Sequence, residues 1–311
     1  MVEPLLPADD TPPREAHPFL GYAMVLTAAT LWAVNGVVSK VILDEGVSSL
    51  RLSEVRSTGA FVGLALGLAL LAPARLRVTR GELPLLALFG VAGLAFVQWF
   101  YFVAIHRMAL GVALLIQYLA PLLVALVARY VLHVPVRRRI WVALAFALVG
   151  LSFVLEFWAG SDLDGIGVGA SLAAATSYAL YLLLAERELE RRDAISLTAY
   201  GFLFASLFWA VVQPWWSFPT GVFDDAAAGA WDLPVWSLMT WMVVLGTIVP
   251  FGLLVSSLRF IPATRAAITA MIEPVAATVV AWLWLGEALV ALQLAGGALV
   301  LVGIVLAQTA R

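Results

Sequence analysis

Apolar runs of about 20 residues, separated by short polar or proline-containing breaks, cover most of the chain. A helix of about 20 apolar residues spans the ~30 Å hydrocarbon core of a bilayer. Windows of this length predict ten membrane-spanning helices, with bounds 20–43, 52–71, 83–105, 109–131, 138–157, 165–186, 195–215, 235–258, 262–285 and 289–308. Because several of the connections are short, neighbouring spans are expected to pack antiparallel.

The apolar runs contain an internal repeat. The segment that ends in Pro121 returns as the segment that ends in Pro274, each with its proline deep inside an apolar run. A glycine follows each proline after 29 positions, at Gly150 and at Gly303. Five spans per half is an odd number, so the second copy is expected to begin on the opposite side of the membrane. Secondary transporters are commonly built from such inverted repeats, with the substrate site where the halves meet.

The composition supports a membrane protein. Hydrophobic residues make up 63% of the 311 residues and charged residues 12%, against about 45–50% and about 25% in soluble domains. The net charge of −2 gives no reason to expect a nucleic-acid partner. The absence of cysteine excludes disulfides and thiolate metal sites, and no histidine has a partner at metal-ligand spacing. Neither a metal nor a cofactor is expected.

The distribution of arginines predicts the orientation, because cytoplasmic loops carry an excess of Lys and Arg. Thirteen arginines fall on one side, namely Arg14, Arg75, Arg77, Arg80, Arg137, Arg138, Arg139, Arg187, Arg191, Arg192, Arg259, Arg265 and Arg311, and three on the other, namely Arg51, Arg56 and Arg107. Both termini are therefore expected to be cytoplasmic.

The chain divides into three parts. Residues 1–19 form a polar tail without the basic start and cleavage site of a secretory signal, so the first apolar run is expected to be a retained helix. Residues 20–157 and 158–308 form the two repeats, each with five spans. The longest loop is expected to hold a short interfacial helix around Asp224 to Ala230.

Several local features together resemble the drug/metabolite transporter superfamily, EamA type. They are Leu31-Trp-Ala-Val-Asn-Gly36 in the first span, Arg56 early in the second, the paired Pro121 and Pro274 segments, and Leu285-Gly-Glu287 before a glycine-bearing last helix. The resemblance extends from about residue 20 to residue 308. It implies an all-α integral membrane protein of ten transmembrane helices in two inverted five-helix repeats. Such a protein is usually an exporter of amino acids or other small metabolites across the plasma (inner) membrane of bacteria. The first half departs from the pattern, with His133-Val134 in place of Gly286-Glu287.

Glu273 is the most informative polar residue. It lies about ten residues into the ninth span, which at 1.5 Å per residue places it ~15 Å deep. A carboxylate at this depth costs about 3 kcal/mol and is by default a candidate functional group, here for proton coupling or substrate binding. The alternative is that Glu273 only caps a backbone break at Pro274, which removes a helix hydrogen bond. Its counterpart in the first repeat, Ala120, is apolar.

Other polar and aromatic side chains lie far from the span ends, at helical spacing. With Glu273 they are predicted to line one cavity for a small-molecule substrate; they are Trp32, Asn35, Gln98, Tyr101, Gln117, Tyr118, Tyr178, Tyr181 and Thr269. Amides, hydroxyls and aromatic faces suit a small, partly apolar amine or amino acid. A polar residue in a membrane helix equally often joins two helices. Arg56 in particular either binds a substrate carboxylate or ties helices together.

These features favour a secondary exporter of small metabolites, above all amino acids, driven by protons or by the substrate gradient. An exporter of cationic or amphiphilic drugs, with Glu273 as counter-ion, is the alternative within this class. A lipid scramblase or lipid-modifying enzyme is the alternative of another class, but no catalytic cluster or nucleotide-hydrolysis motif supports an enzyme. The protein is expected to be a monomer or homodimer, with Gly59, Gly63 and Gly67 forming a close-packing face within the monomer.

Overall fold

The computed structural model describes residues 17–108, 110–156, 158, 163–223, 233–285 and 290–310. Helices account for nearly all regular structure in these ranges, as the predicted all-α class requires. The predicted interfacial helix near 224–230, the Gly286-Glu287 turn and most of the 1–19 tail lie outside the described residues.

The helices of the two halves follow one another in the same order. The first half contains α1 (Pro18–Asp44), α2 (Ser49–Leu71), α3 (Leu83–Leu88), a π-helical segment (Phe89–Ala95), α4 (Phe96–Ile105), α5 (Leu110–Gln117), α6 (Ala120–Tyr130) and α7 (Arg138–Val154). The second contains α8 (Gly165–Glu188), α9 (Ala194–Val212), α10 (Val235–Val243), a second π-helical segment (Val244–Ile248), α11 (Val249–Ser257), α12 (Ala263–Ala270), α13 (Ile272–Leu285) and α14 (Ala291–Gln308).

Within the described residues, nine helical stretches are long and apolar enough to cross a membrane. The remaining predicted span corresponds to α7, whose 17 residues lie at the short end of the range of about 17 to 25 residues for membrane helices. The predicted and observed bounds differ by at most three residues. Local signals explain this agreement: Asp164 and Asp193 accept hydrogen bonds as N-caps of α8 and α9, and Pro262 directly precedes α12.

The last helices of the two halves, α7 and α14, pack closely against each other through glycines. A Cβ atom on Gly150 would lie 2.5 Å from the Gly296 carbonyl oxygen, and one on Gly303 would lie 2.7 Å from the Ala143 carbonyl oxygen. These are matching contacts, because 153 positions separate Ala143 from Gly296 and Gly150 from Gly303, as they separate the two repeat prolines. Small residues allow this backbone approach.

Arg51 joins the N-terminal end of α2 to the C-terminal end of α9. Its guanidinium donates to the Glu54 carboxylate at 2.6 Å, to the carbonyl oxygens of Gln213 and Pro214 at 3.0 and 3.1 Å, and to the Ser217 hydroxyl at 2.5 Å. Arg51 and Glu54 are both buried. Charge-assisted hydrogen bonds of this kind are among the strongest in proteins, so Arg51 holds the two helices together.

Arg192 joins the opposite ends of the same two helices. It donates to the carbonyl oxygens of Arg75 and Arg77 at 3.4 and 3.1 Å and to the Glu82 carboxylate at 3.0 Å. Hydrogen bonds from the backbone N–H and hydroxyl of Thr79, together with the weaker effect of Arg192, lower the pKa of Glu82 below its ordinary value. One end of the antiparallel α2–α9 pair is thus held by Arg51, and at the other end Arg192 ties the start of α9 to the connection that follows α2.

The loops that the arginine count assigns to one side do lie on one face of the molecule. Besides the contacts of Arg192, Arg139 donates to the Thr309 carbonyl oxygen at 3.0 Å, and Arg265 donates to the Ala310 carbonyl oxygen. A cavity of about 650 Å³ lies between these loops, and its lining includes Arg137 and Arg259. This arginine-rich face therefore combines the C-terminal end of α14 with the connections α6–α7, α8–α9 and α11–α12.

The glycine face of α2 packs within the chain at two of its three positions. Cβ atoms on Gly59 and Gly63 would lie 2.7 Å from side-chain atoms of Val243 and Ile248, in and beside the second π-helical segment. At Gly67 a Cβ atom would have no neighbour within 4 Å. The close approach of α2 to this segment therefore includes Gly59 and Gly63 and does not extend to Gly67.

Candidate functional site

The candidate site is built around two interrupted helices. The fourth span breaks at residues 118–119 between α5 and α6, two residues before Pro121, and the ninth span breaks at Met271 between α12 and α13, three residues before Pro274. Proline lacks a backbone N–H, so it is tolerated in the first turn of the helix that resumes after each break. The breaks bring Tyr118 and Glu273 to the same region, where α6 packs on α12 and α1 packs on both α12 and α13.

Glu273 is surrounded by polar groups from three other helices and from the break between α5 and α6. The Tyr118 side chain lies close to its carboxylate. Arg56 of α2, Tyr101 of α4 and Tyr178 of α8 all lie close enough to interact electrostatically with it. All five side chains are half-buried. The site thus combines one carboxylate, one guanidinium and three phenols between the two halves of the chain.

An aromatic wall continues from this group toward α1. The rings of Tyr178 and Tyr181 stack at a centroid distance of 6.2 Å, and Tyr181 stacks on Phe89 of the first π-helical segment at 5.0 Å. Phe251 of α11 then meets Tyr181 edge-on at 6.0 Å and Trp32 at 5.1 Å. Trp32 and Tyr181, predicted from different halves of the sequence, are therefore linked through a residue that the sequence did not indicate.

Five of the predicted residues carry a buried polar atom without a hydrogen-bond partner in the described part of the chain. These atoms are Trp32 Nε1, Asn35 Oδ1, Gln98 Oε1, Gln117 Oε1 and the Tyr181 hydroxyl. Leaving such a group unsatisfied costs about 1–3 kcal/mol, and in a native structure it calls for an explanation such as a ligand or an ordered water. Six other side chains share this property, among them Ser39, one turn from Asn35 on α1.

Thr269 is placed differently from the other predicted residues. Its side chain is fully buried, and its hydroxyl donates to the Arg265 carbonyl oxygen within α12 at 2.8 Å. The prediction that Thr269 and Glu273 share a helix face assumed a continuous helix, but the break at Met271 separates them. The hydroxyl proton of Thr269 is therefore used within α12, and the side chain is closed off from the rest of the site. The break at residues 118–119 likewise removes the continuous helix that was assumed between Gln117 and Pro121.

The two π-helical segments place a glycine against the first helix of each half. A Cβ atom on Gly246 would overlap the Asn35 side chain, with Cγ at 2.5 Å, and one on Gly93 would lie 3.2 Å from Cα and Cβ of Tyr181. The offset from Gly93 to Gly246 is 153 positions, the same as between the repeat prolines. Asn35 and Tyr181 thus have matching surroundings in the two halves.

Replacing Gly246 with Ala is expected to reduce the stability of the protein by about 1–3 kcal/mol, the cost of overpacking, because the added methyl group overlaps the Asn35 carboxamide. The measurement is the melting temperature of the purified protein in detergent. Asn35→Ala in the same protein is expected to restore it. Gly252→Ala is the matched control, since its nearest neighbour, Ile195 Cδ1, lies 3.7 Å from the added atom. Equal melting of wild type and Gly246→Ala would contradict the contact.

Comparison with known proteins now identifies the family. A sequence profile of the EamA-like transporter family matches residues 19–156 and 165–309, which together make up nearly the whole chain. The chain belongs to the EamA-like transporter family. It is therefore a membrane transporter and not an enzyme, and the resemblance to the drug/metabolite transporter superfamily is confirmed.

Individual relatives agree with this assignment. The threonine/homoserine exporter RhtA of Escherichia coli (strain K12) is 29% identical over 254 residues, which cover 80% of this chain and 76% of that protein. The uncharacterized transporter YwfM of Bacillus subtilis (strain 168) is 24% identical over 292 residues, or 92% of this chain and 93% of that one. A solved crystal structure superposes with a TM-score of 0.75 over 96% of this chain and 100% of that chain, at 19% identity. That similarity concerns the fold alone.

Proposed function

We propose that this EamA-family protein exports small amino acids across the bacterial inner membrane by alternating access, with Glu273 as the group that couples export to protons. The observation that carries the proposal is the convergence of Glu273, Arg56 and three tyrosines from both halves of the chain at the two helix breaks. Discontinuous helices at the interface of two repeats are where secondary transporters bind substrates and coupling ions.

Alternating access requires two structural units that can exchange conformations. The halves share their order of elements, their interrupted helices and their paired glycines, and ten spans in two inverted sets of five would allow the exchange. In this arrangement α7 is the fifth span. The arginine-rich face would be cytoplasmic, together with both termini, and its cavity of about 650 Å³ would open to the cytoplasm.

An amino-acid substrate is favoured by two independent considerations. The relative RhtA is by name a threonine/homoserine exporter. The lining of the site combines amide and hydroxyl groups with aromatic faces, which suits a small polar molecule with an apolar part. Amphiphilic cations, with Glu273 as counter-ion, are the alternative substrates.

A thermal-shift screen of the purified protein tests the substrate class. L-threonine, L-homoserine and other amino acids are compared with amphiphilic cations such as tetraphenylphosphonium, each at millimolar concentration. The proposal expects amino acids to raise the melting temperature in a saturable manner. Stabilisation by the cations alone would replace amino acids with drugs as substrates. If neither class stabilised the protein, the amino-acid proposal would fail.

Gln117→Ala and Tyr181→Phe are each expected to weaken amino-acid binding by about three- to tenfold, the usual value of one hydrogen bond. Both changes remove a buried polar group that has no partner in the described residues, and Tyr181→Phe keeps the ring that stacks on Phe89. Trp209→Phe is the control. It also removes a buried N–H without a partner in the described residues, but on α9, which contributes no residue to the predicted site. Binding is measured by titration calorimetry, and unchanged affinity in both variants would place the binding site elsewhere.

A further inference from the structure

The arginines of this protein differ in how fully they are paired. Arg51 and Arg192 each donate to four protein groups, and both connect α2 with α9. Arg56 lies only five residues after Arg51 on α2, yet it makes a single hydrogen bond in the described part of the chain, from Nε to the Thr247 hydroxyl at 3.2 Å. The terminal Nη1 and Nη2 groups of Arg56 have no protein acceptor there.

The contact with Thr247 fixes the direction of the Arg56 guanidinium. Thr247 is fully buried and lies in the second π-helical segment, where its hydroxyl donates to the Met242 carbonyl oxygen five residues earlier at 2.9 Å. With its proton committed to that bond, the hydroxyl oxygen is left to accept from Arg56 Nε. A guanidinium held through Nε presents its two terminal nitrogens as a planar fork, the geometry that binds a carboxylate in a bidentate manner.

We infer that Arg56 and Glu273 form a binding site for the zwitterionic head group of an α-amino acid. Arg56 binds the carboxylate through Nη1 and Nη2, and the carboxylate of Glu273 binds the ammonium group. Both residues are half-buried and lie within electrostatic reach of each other. This inference rests on the proposed function and adds to it the residue that selects for a carboxylate.

Charge balance supports a zwitterion over a cation or an anion. An unpaired charge inside a membrane protein is costly, and Arg56 and Glu273 compensate each other in the empty site. A zwitterion supplies one positive and one negative group, so the occupied site is also neutral. An amphiphilic cation would pair with Glu273 and leave Arg56 without a counter-charge. An organic anion would do the reverse.

Three ligands of nearly the same shape test this inference on the wild-type protein. L-threonine carries both charges, 1-amino-2-propanol lacks the carboxylate, and 3-hydroxybutyrate lacks the ammonium group. Titration calorimetry is expected to show each analogue binding on the order of 10- to 100-fold more weakly than L-threonine, the value of a charge-assisted hydrogen-bonded pair. Equal affinity for L-threonine and 1-amino-2-propanol would overturn the inference while leaving amino-acid export possible.

The Arg56→Gln variant tests whether Arg56 is the residue that binds the substrate carboxylate. This variant is expected to bind L-threonine no better than the wild type binds 1-amino-2-propanol, with the affinity for 1-amino-2-propanol itself not reduced. Arg129→Gln, at an exposed position on α6, is the control and is expected to retain wild-type selectivity. If Arg56→Gln does not fold, Thr247→Val tests the same point by removing the acceptor of Nε, with an expected three- to tenfold loss for L-threonine alone.

The possible outcomes distinguish a wrong substrate class from a wrong role for Arg56. If the wild type binds none of the three ligands, both the amino-acid substrate and the zwitterion site are wrong. If the wild type binds L-threonine selectively but Arg56→Gln keeps that selectivity, export of amino acids stands and Arg56 is a structural link between α2 and the second π-helical segment. Only the joint loss of selectivity and L-threonine affinity in Arg56→Gln supports the inference.

Discussion

Glu273→Gln is expected to lower proton-driven transport by on the order of 100-fold and to abolish its dependence on pH. The substitution keeps the size of the side chain but removes a negative charge that lies close to Arg56 and Tyr118. A hydrogen bond to a charged group, such as that of the substrate to Glu273, contributes about 1.5–3 kcal/mol, and about 1.4 kcal/mol corresponds to a factor of ten. The measurement is the initial transport rate in proteoliposomes between pH 5 and pH 8.

The control for this experiment is Asp44→Asn, which removes an exposed carboxylate at the end of α1 and is expected to transport as the wild type does. A Glu273→Gln protein with an unchanged rate and an unchanged pH profile would show that the carboxylate is structural. Glu273 would then only cap the backbone break at Pro274, which is the alternative that the sequence left open.

The largest loss of stability is expected from Arg51→Ala. The change removes four hydrogen bonds and leaves the fully buried Glu54 carboxylate without its cation. Breaking a buried ion pair costs about 3–5 kcal/mol, so the melting temperature in detergent is expected to fall by on the order of 10 °C. Arg51→Met combined with Glu54→Leu is expected to recover part of this loss, because no unpaired buried charge remains.

Arg75→Ala provides the matched comparison for Arg51→Ala. Arg75 lies 3.7 Å from Asp193 in an exposed pair, and exposed pairs contribute about 0–1 kcal/mol. The carbonyl oxygen that Arg75 offers to Arg192 is retained in this variant. Melting of Arg51→Ala within one or two degrees of Arg75→Ala would mean that the link between α2 and α9 is not held by Arg51.

The sequence predicted the helices well because their signals are local. Hydrophobic length, the N-caps Asp164 and Asp193 and the prolines at helix starts all act within a few residues. Family membership was also predicted, from the resemblance carried by Leu31–Gly36, Arg56, the paired Pro121 and Pro274 segments and Leu285-Gly-Glu287. The inverted relation of the halves and the cytoplasmic termini stay predictions.

The site was predicted less completely, for reasons that involve helix geometry. Thr269 was assigned to the face of Glu273 on the assumption of an unbroken helix, which the interruption at Met271 removes. Phe251 and Thr247 were missed because a π-helical turn changes the direction of side chains that follow it, and hydrophobic periodicity does not reveal such a turn. The repeat offset of Gly93 and Gly246 was the one available signal.

The role of Arg56 could not be predicted from its depth in the membrane alone. Its position early in the second span fits a link between helices as well as a ligand for a carboxylate, and the sequence could not decide between them. In the described part of the chain, Nε makes the link to Thr247, and no protein group accepts a hydrogen bond from Nη1 or Nη2. Which guanidinium nitrogen of Arg56 has a partner depends on Thr247, 191 positions away in the sequence. No local sequence pattern predicts this contact.

The central claim is that this protein carries amino acids through a site at Glu273 in exchange for protons. The most direct test uses proteoliposomes with an internal pH of about 6, diluted into buffer at about pH 8 that contains labelled L-threonine. We expect L-threonine to accumulate above its external concentration. No accumulation is expected when a protonophore is added or when the protein carries Glu273→Gln. Uptake no faster than in protein-free liposomes, or uptake indifferent to the gradient and to Glu273→Gln, would contradict the claim.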